Sequence, residues 1–180
     1  MAKAVIIGTG LYVPGNPIDN ETIMKLTGIE FNAARQEEKI GIKKRYIARL
    51  SGLQETTADF AERAARRALE AAKVNPKDVG LFIVATDTPE YISPATSILV
   101  QGRLQGGETG AKSFDLGASC ASFVEALDAA ARHLVTDPSL HYAVVAGVYN
   151  MPAYIQEGDA FGWFIFADGA GAVVLERQEQ

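Results

Sequence analysis

Short apolar runs alternate with amphipathic stretches along most of the chain. Apolar runs with β-branched residues predict strands at residues 4–9, 80–86 and 142–148, and a further strand is predicted at residues 112–116. Helical spacing of apolar residues predicts helices at residues 20–26, 56–73 and 94–104, and from near Cys120 to about Leu134. Alternating strands and helices are typical of a mostly parallel sheet, so the pattern predicts an α/β fold with helices on both faces of the sheet.

Local signals fix the ends of several elements. Asp19 or Asn20 is a candidate cap for the first helix, and Thr56 with Asp59 resembles a capping box for the second. Pro94 stands where proline is favoured, at the first helical position of 94–104. Near the end of the chain, apolar runs at 161–166 and 171–175 flank a turn-like segment, which predicts a terminal β-hairpin.

The single cysteine, Cys120, lies where a strand, a turn of small residues (117–119) and a helix meet. Unpaired N–H groups and the helix dipole favour an anion at a helix start, and the thiolate is the nucleophilic form of cysteine. The alternative is that Cys120 is a small buried hydrophobe, as free cysteines often are. Spacing alone leaves both interpretations open.

The helix that follows Cys120 is apolar over most of its circumference. Its charged residues Glu125, Asp128 and Arg132 fall on one narrow stripe. Such a helix is typically buried on several sides, and one sheet covers only one of them. We therefore expect association through an exposed apolar surface, so that the chain is not a monomer.

Composition narrows the class of protein. The 180 residues suit a single domain or one half of a larger unit, and 48% hydrophobic with 22% charged residues is ordinary for a globular chain. A net charge of −5 argues against nucleic acid as the main partner. One cysteine excludes an internal disulfide and a cysteine-rich metal site. With no signal peptide or membrane-length apolar run, we expect a cytoplasmic protein.

Two further patterns carry weaker signals. Gly8 and Gly10 suggest dinucleotide binding, but Val13 stands where the third glycine belongs, so we reject that motif. Within residues 28–50, five cations cluster between residues 39 and 49: Lys39, Lys43, Lys44, Arg45 and Arg49. The cluster fits either a contact for phosphate or an acidic carrier, or a solvated face, and the solvated face is the more common case.

Four motifs occur in a family-like order: Ile6-Ile-Gly-Thr-Gly-Leu-Tyr-Val-Pro14, Gly41-Ile-Lys-Lys-Arg-Tyr-Ile-Ala48, Phe114-Asp-Leu-Gly-Ala-Ser-Cys-Ala-Ser-Phe123 and Phe166-Ala-Asp-Gly-Ala-Gly-Ala-Val-Val-Leu175. Together they resemble β-ketoacyl-acyl-carrier-protein synthase III, of the thiolase superfamily. The resemblance covers nearly the whole chain but only the N-terminal half of that family. It implies that residues 1–180 form one thiolase-like N-terminal domain with a five-stranded sheet, and that the C-terminal half is absent.

The resemblance also implies a chemistry. Cys120 would take an acyl group from acyl-CoA or an acyl carrier protein, with its backbone N–H in the oxyanion hole. A malonyl thioester would then decarboxylate and attack the acyl-enzyme, as in fatty-acid or polyketide-type synthesis. The family's catalytic His and Asn belong to the C-terminal half, and its members form homodimers. The resemblance implies no cofactor and no metal.

Three departures from the family concern the donor. Arg35 and Lys39 stand where the family stacks adenine between a Trp and an Arg, and Ala160 replaces an Arg that contacts CoA. Ser93 replaces a Phe that closes the acyl pocket of the partner subunit. We therefore expect acetyl-CoA to be a poor donor, and a larger acyl group or a different donor to be accepted.

Neither histidine of the chain is a credible general base. His133 lies thirteen residues beyond Cys120 on the same helix, or about 20 Å at the rise of an α-helix. His141 precedes a strand, and both histidines are expected to be structural. Two other functions stay open: a non-catalytic dimerising scaffold that supports a ketosynthase partner, and a nucleotide-binding α/β domain. Cys120 argues against the first, and the missing third glycine argues against the second.

Overall fold

The structure, a computed structural model, describes residues 2–179 and divides into two compact units. The first unit comprises residues 2–12, 56–149 and 170–179, and the second comprises residues 13–55 and 150–169. Within residues 2–179, every helix is too short or too polar to cross a membrane.

The strands are β1 (Lys3–Tyr12), β2 (Ile18–Asp19), β3 (Lys44–Arg45), β4 (Val79–Ala85), β5 (Lys112–Leu116), β6 (Tyr142–Asn150) and β7 (Asp168–Gln178). The α-helices are α1 (Asn20–Thr27), α2 (Ala33–Ile40), α3 (Thr57–Ala72), α4 (Thr96–Gln105), α5 (Ser122–Thr136) and α6 (Ala160–Ile165). Each strand and helix predicted up to residue 148 is present, with small shifts at its ends.

The main sheet has five strands in the order β1-β7-β6-β4-β5. Strand β4 pairs in parallel with both β5 and β6, whereas β1 pairs antiparallel with β7. The predicted α/β fold, with a five-stranded mixed sheet and helices, is therefore confirmed.

Alternation along β4 separates the two faces of this sheet. Leu81, Ile83 and Ala85 point to one face, where they pack against the buried stripe of α5 formed by Ala126, Ala130 and Leu134. The intervening residues Phe82 and Val84 are also buried and point to the opposite face, because successive side chains of a strand alternate.

A bulge in β1 brings α3 close to the sheet. The register of β1 with β7 shifts between Ile6 and Gly8, so Gly8 and Gly10 face α3. A Cβ atom on Gly10 would overlap the carbonyl oxygen of Ala64 and lie 2.5 Å from the backbone nitrogen of Ala68. Only glycine permits this approach, and alanines at the facing positions of α3 make the matching surface.

Helix α3 begins as the sequence predicts. Thr56 Oγ1 accepts a hydrogen bond from Asp59 N, and the carboxylate of Asp59 accepts one from Thr56 N at 2.8 Å. This capping box satisfies two N–H groups that the helix itself leaves unpaired. The predicted capping box is confirmed.

Helix α4 begins at Thr96, two residues after the predicted Pro94. The carboxylate of Asp115 on β5 accepts hydrogen bonds from Thr96 N at 2.7 Å and Ser97 N at 2.8 Å. The helix therefore starts where a carboxylate from the neighbouring strand satisfies its first N–H groups. The predicted placement of Pro94 at the first helical position is wrong.

The second unit contains the β2–β3 pair, helices α1, α2 and α6, and a small core of Ile23, Ile47, Ile155 and Trp163. Asp19 caps α1, because its carboxylate accepts from Thr22 N at 2.8 Å. Four of the five clustered cations are exposed, which is compatible with both interpretations of the cluster, whereas Arg45 fits neither. Arg45 is buried and donates from Nη2 to Asn20 Oδ1 at 2.6 Å.

The predicted terminal hairpin is wrong. Residues 160–165 form helix α6, capped by Asp159, whose carboxylate accepts from Gly162 N at 3.0 Å. Strand β7 pairs with β1 instead of with the preceding apolar run. Asp168, in the segment read as a turn, is buried, and its Oδ2 accepts from Ala48 N at 2.7 Å.

We predict that Gly10→Ala destabilises the first unit by about 1–3 kcal/mol, because the added methyl overlaps the backbone of α3. Gly171→Ala is a matched control, since Gly171 lies on β7 opposite Leu11 and a Cβ there meets nothing within 4 Å. Urea unfolding of both variants measures the difference. An equal stability of the two variants would contradict the close packing of β1 on α3.

We also predict a pH-dependent stability that depends on Asp168. Burial, with a smaller contribution from the charge of Glu55, raises the pKa of Asp168 from its ordinary 3.8 to about 6. Between these values the folded chain binds more protons than the unfolded chain, so stability decreases as the pH rises from about 4 to about 6.

The variant Asp168→Asn removes this titration. The free energy of unfolding of the wild type minus that of the variant should decrease by on the order of 1 kcal/mol across this pH range and then level off. Urea unfolding at several pH values measures it, with Asp128→Asn, an exposed carboxylate, as control. A difference that stays constant from pH 4 to pH 7 would contradict the raised pKa.

Candidate active site

Cys120 lies just beyond the carboxyl end of β5, in the first unit. The parallel register aligns Ala85 of β4 with Leu116 of β5 and with Gly147 of β6, so all three strands end at the same edge of the sheet. This edge is where open α/β sheets bind their ligands. Cys120 is exposed to solvent there, which excludes the alternative that it is a buried hydrophobe.

The turn that carries Cys120 is tighter than an α-helical turn. Residues Ser119–Ala121 form a 3-10 turn, and α5 follows from Ser122. The predicted strand, turn and helix are therefore present in this order. Ser119 has φ of +50°, one of two positive values among the non-glycine residues that the structure describes. This left-handed conformation is unfavourable for a side chain with a Cβ, and neighbouring interactions must hold it.

Side chains on both sides satisfy the backbone of this turn. Ser122 Oγ accepts from Ala118 N at 2.8 Å and donates to Ser119 O at 2.7 Å. Asp87, in the loop after β4, accepts from Ser119 N through Oδ1 at 3.3 Å. Ala121 N donates to Ala118 O at 3.1 Å.

The remaining N–H group of the turn belongs to Cys120. No acceptor for it lies among residues 2–179, whereas its neighbours on both sides are paired. A free N–H at the first turn of a helix is suited to receive developing negative charge on a bound oxygen.

Tyr149 on β6 belongs to the same surroundings. Burial raises the pKa of its hydroxyl, and electrostatic interactions with Asp87 and Cys120 raise it further. The ring of Phe123 lies against the backbone of Gly147, where a Cβ atom would come within 2.9 Å of it. Strand β6 therefore supplies a neutral phenol and a close-packed wall beside the turn.

The outer surface of α5 has the apolar excess that the sequence predicts. Its buried residues are Ser122, Ala126, Ala130 and Leu134, a single stripe. Val124, at 66% exposure, and the exposed side chains of Phe123 and Val135 lie outside that stripe. The sheet of this chain thus covers only one side of the helix.

The other predicted site residues fall into two groups. Ser93 is exposed and lies in the first unit, on the loop between β4 and α4. Arg35, Lys39 and Ala160 lie in the second unit. Arg35 and Lys39 are exposed on α2, four residues apart and hence on one face, and Ala160 is the first residue of α6.

Each histidine lies against a residue other than Cys120. The ring of His133 lies 6.0 Å from the ring of Phe114, and His141 Nε2 lies 3.6 Å from a carboxylate oxygen of Glu176.

The sequence did not predict three residues around Cys120: Asp87, Ser122 and Tyr149. Asp87 could have been found, because it follows β4 at the edge where β5 also ends.

Comparison with known proteins agrees with this geometry. A family model for 3-oxoacyl-acyl-carrier-protein (ACP) synthase III matches residues 114–180, which include the cysteine turn. The β-ketoacyl-acyl-carrier-protein synthase III of Thioalkalivibrio sulfidiphilus is 41% identical over 180 residues, which are 100% of this chain and 53% of that protein. The resemblance to β-ketoacyl-acyl-carrier-protein synthase III is confirmed.

Solved structures give the same result for the fold. The 3-oxoacyl-acyl-carrier-protein synthase III of Aquifex aeolicus superposes with a TM-score of 0.86 at 34% identity, over 100% of this chain and 55% of that one. The synthase III of Pseudomonas aeruginosa superposes with a TM-score of 0.86 at 30% identity, over 98% of this chain and 52% of that one. The chain thus spans about half the length of the synthases it matches.

Proposed function

We propose that Cys120 is the acyl acceptor of a β-ketoacyl synthase III-type condensation. The observation that carries the proposal is an exposed thiol beside a free N–H, at the sheet edge where three parallel strands end. A thiolate there is positioned to attack a thioester carbonyl, and the N–H of Cys120 is positioned to bind the oxygen on which negative charge develops.

In the proposed step, an acyl group moves from a donor thioester to the sulfur of Cys120. The sulfur of Cys120 forms a bond to the carbonyl carbon of an acyl thioester, and the electron pair of the C=O bond moves to the oxygen. Collapse of this intermediate breaks the bond to the leaving thiolate of CoA or an acyl carrier protein, which takes up a proton. The product is an acyl-Cys120 thioester, and no cofactor or metal takes part.

Condensation requires more than this chain supplies. Decarboxylation of a malonyl thioester places negative charge on the thioester oxygen, and donors must be positioned to receive it. We propose that a C-terminal half brings a His and an Asn for this purpose. The uncovered apolar sides of α5, with Val124 and Val135, are suited to contact such a half or a second copy of the chain.

The donor is proposed to differ from acetyl-CoA. Arg35 and Lys39, both exposed on one face of α2, retain positive charge for phosphate but have no aromatic ring for the adenine. Stacking on a base contributes roughly 1–3 kcal/mol in nucleic-acid complexes, and about 1.4 kcal/mol is a factor of ten in affinity. With Ser93 and Ala160 also smaller than the family residues, a longer acyl group or an acyl-carrier-protein donor fits better.

We predict that Cys120 is acylated by a long-chain acyl thioester and is alkylated by iodoacetamide faster than a cysteine in a model peptide. Helix-start N–H groups favour the thiolate, which is the reacting form. Intact-mass measurement over time gives both rates, and Cys120→Ser is the control that should gain no mass. A Cys120 that reacts no faster than the peptide and takes no acyl group would favour the scaffold alternative.

We predict that the isolated 180-residue chain catalyses no condensation, although it accepts an acyl group. Losing one oxyanion donor costs about a hundred- to a thousandfold in rate in other enzymes, so a chain without the second-half donors should be near background. The assay is release of carbon dioxide from a malonyl thioester, repeated after adding the C-terminal half of a related synthase. Turnover by the isolated chain above a Cys120→Ala control would contradict the need for a second half.

A further inference from the structure

The hydroxyl of Ser122 spans the turn that presents Cys120. It accepts a hydrogen bond from the residue two before the cysteine, Ala118, and donates one to the carbonyl of Ser119 directly before it. Ser122 is 6% exposed, so water competes little for either bond. One buried side chain therefore closes a ring of hydrogen bonds around the nucleophile.

Asp87 holds the same turn from the neighbouring strand. Its Oδ1 accepts from Ser119 N, so both the N–H and the C=O of Ser119 are bonded to side chains. Ser119 is also the residue with positive φ. A strained conformation persists only where the surroundings hold it in place, and these are the two side chains that do so here.

Ser119 determines the direction in which the chain enters Cys120. The backbone dihedral angles of Ser119 set the orientation of the peptide group that carries the N–H of Cys120, so relaxation to the ordinary right-handed or extended region would change the direction of that N–H. The sulfur of Cys120 could then no longer attack the same carbonyl group whose oxygen the free N–H binds.

We propose that Ser122 and Asp87 are positioning residues that hold Ser119 in its left-handed conformation and thereby fix the thiol and N–H of Cys120. The inference rests on the proposed function for its purpose, because only a reacting Cys120 needs this geometry. Neither side chain exchanges a proton or forms a covalent bond in the proposed step. Their contribution is to the rate at which Cys120 reacts.

The test compares two serine-to-alanine variants of the full chain. Ser122→Ala removes both bonds across the turn, whereas Ser113→Ala, on the strand that leads into the turn, removes a buried hydroxyl that has no hydrogen-bond partner within residues 2–179. Alkylation of Cys120 by iodoacetamide is followed by intact mass, and amide hydrogen exchange is followed at Ala118. Thermal unfolding of each variant is measured alongside.

We expect Ser122→Ala to slow alkylation about fivefold or more and to speed exchange at the Ala118 amide, with a lower melting temperature than Ser113→Ala because two hydrogen bonds are lost. Ser113→Ala should alkylate within about twofold of the wild type. Equal alkylation rates for the two variants would overturn the proposal. So would a slowing that merely follows a lower melting temperature in both.

Asp87 gives a second test if Ser122→Ala fails to fold. Asp87→Asn keeps an oxygen that accepts from Ser119 N, whereas Asp87→Ala removes it, so alkylation should slow in the alanine variant and recover in the asparagine variant. Equal rates in the wild type and both variants would overturn the role of Asp87. Because alkylation needs no acyl donor, a Cys120 that is never acylated would contradict the proposed function and leave the alkylation comparison intact.

Discussion

The parallel pairing of β4 with both β5 and β6 is the constraint on which the candidate site depends. Parallel register brings the carboxyl ends of the three strands to one edge, where Asp87 and Cys120 follow β4 and β5 and Tyr149 lies near the end of β6. Parallel neighbours need crossover connections, and α4 and α5 provide them between β4, β5 and β6. The same helices that complete the sheet therefore determine where the nucleophile emerges.

Small residues let the layers approach closely enough for this arrangement. Glycines of β1 pack directly against the backbone of α3. The ring of Phe123, in the first turn of α5, packs against Gly147 of β6. The buried stripe of α5 has two alanines, Ala126 and Ala130, between Ser122 and Leu134. A helix held close to the sheet keeps its first turn, and so the cysteine turn before it, at a fixed height above the strand ends.

The sequence predicted most of the fold, because strands β1, β4 and β6 are rich in apolar residues and α3 has a complete capping signal. The hairpin prediction failed because local turn residues around Asp168 resemble a hairpin, while the antiparallel partner of β7 is β1, more than 150 residues away. Helix α2 was not predicted, since most of its residues are polar or charged and none of them is buried. Long-range pairing and exposed helices leave little local signal.

The sequence likewise predicted only part of the candidate site. Cys120 could be found from its place between a strand and a helix, whereas the contribution of Ser122 could not, because the sequence does not show that its hydroxyl bonds back to the turn before the helix. Its importance depends on the positive φ at Ser119, which the sequence does not show.

Two properties of the chain meet at the start of α5. The turn of Cys120 is exposed to water, and the outer side of α5 beside it is apolar and uncovered. A second protein surface over α5 would exclude water near the thiol and strengthen the interaction of the Cys120 N–H with a bound oxygen, because electrostatic interactions grow as the local dielectric falls. Covering the helix and completing the site are thus, in the proposed function, one physical event.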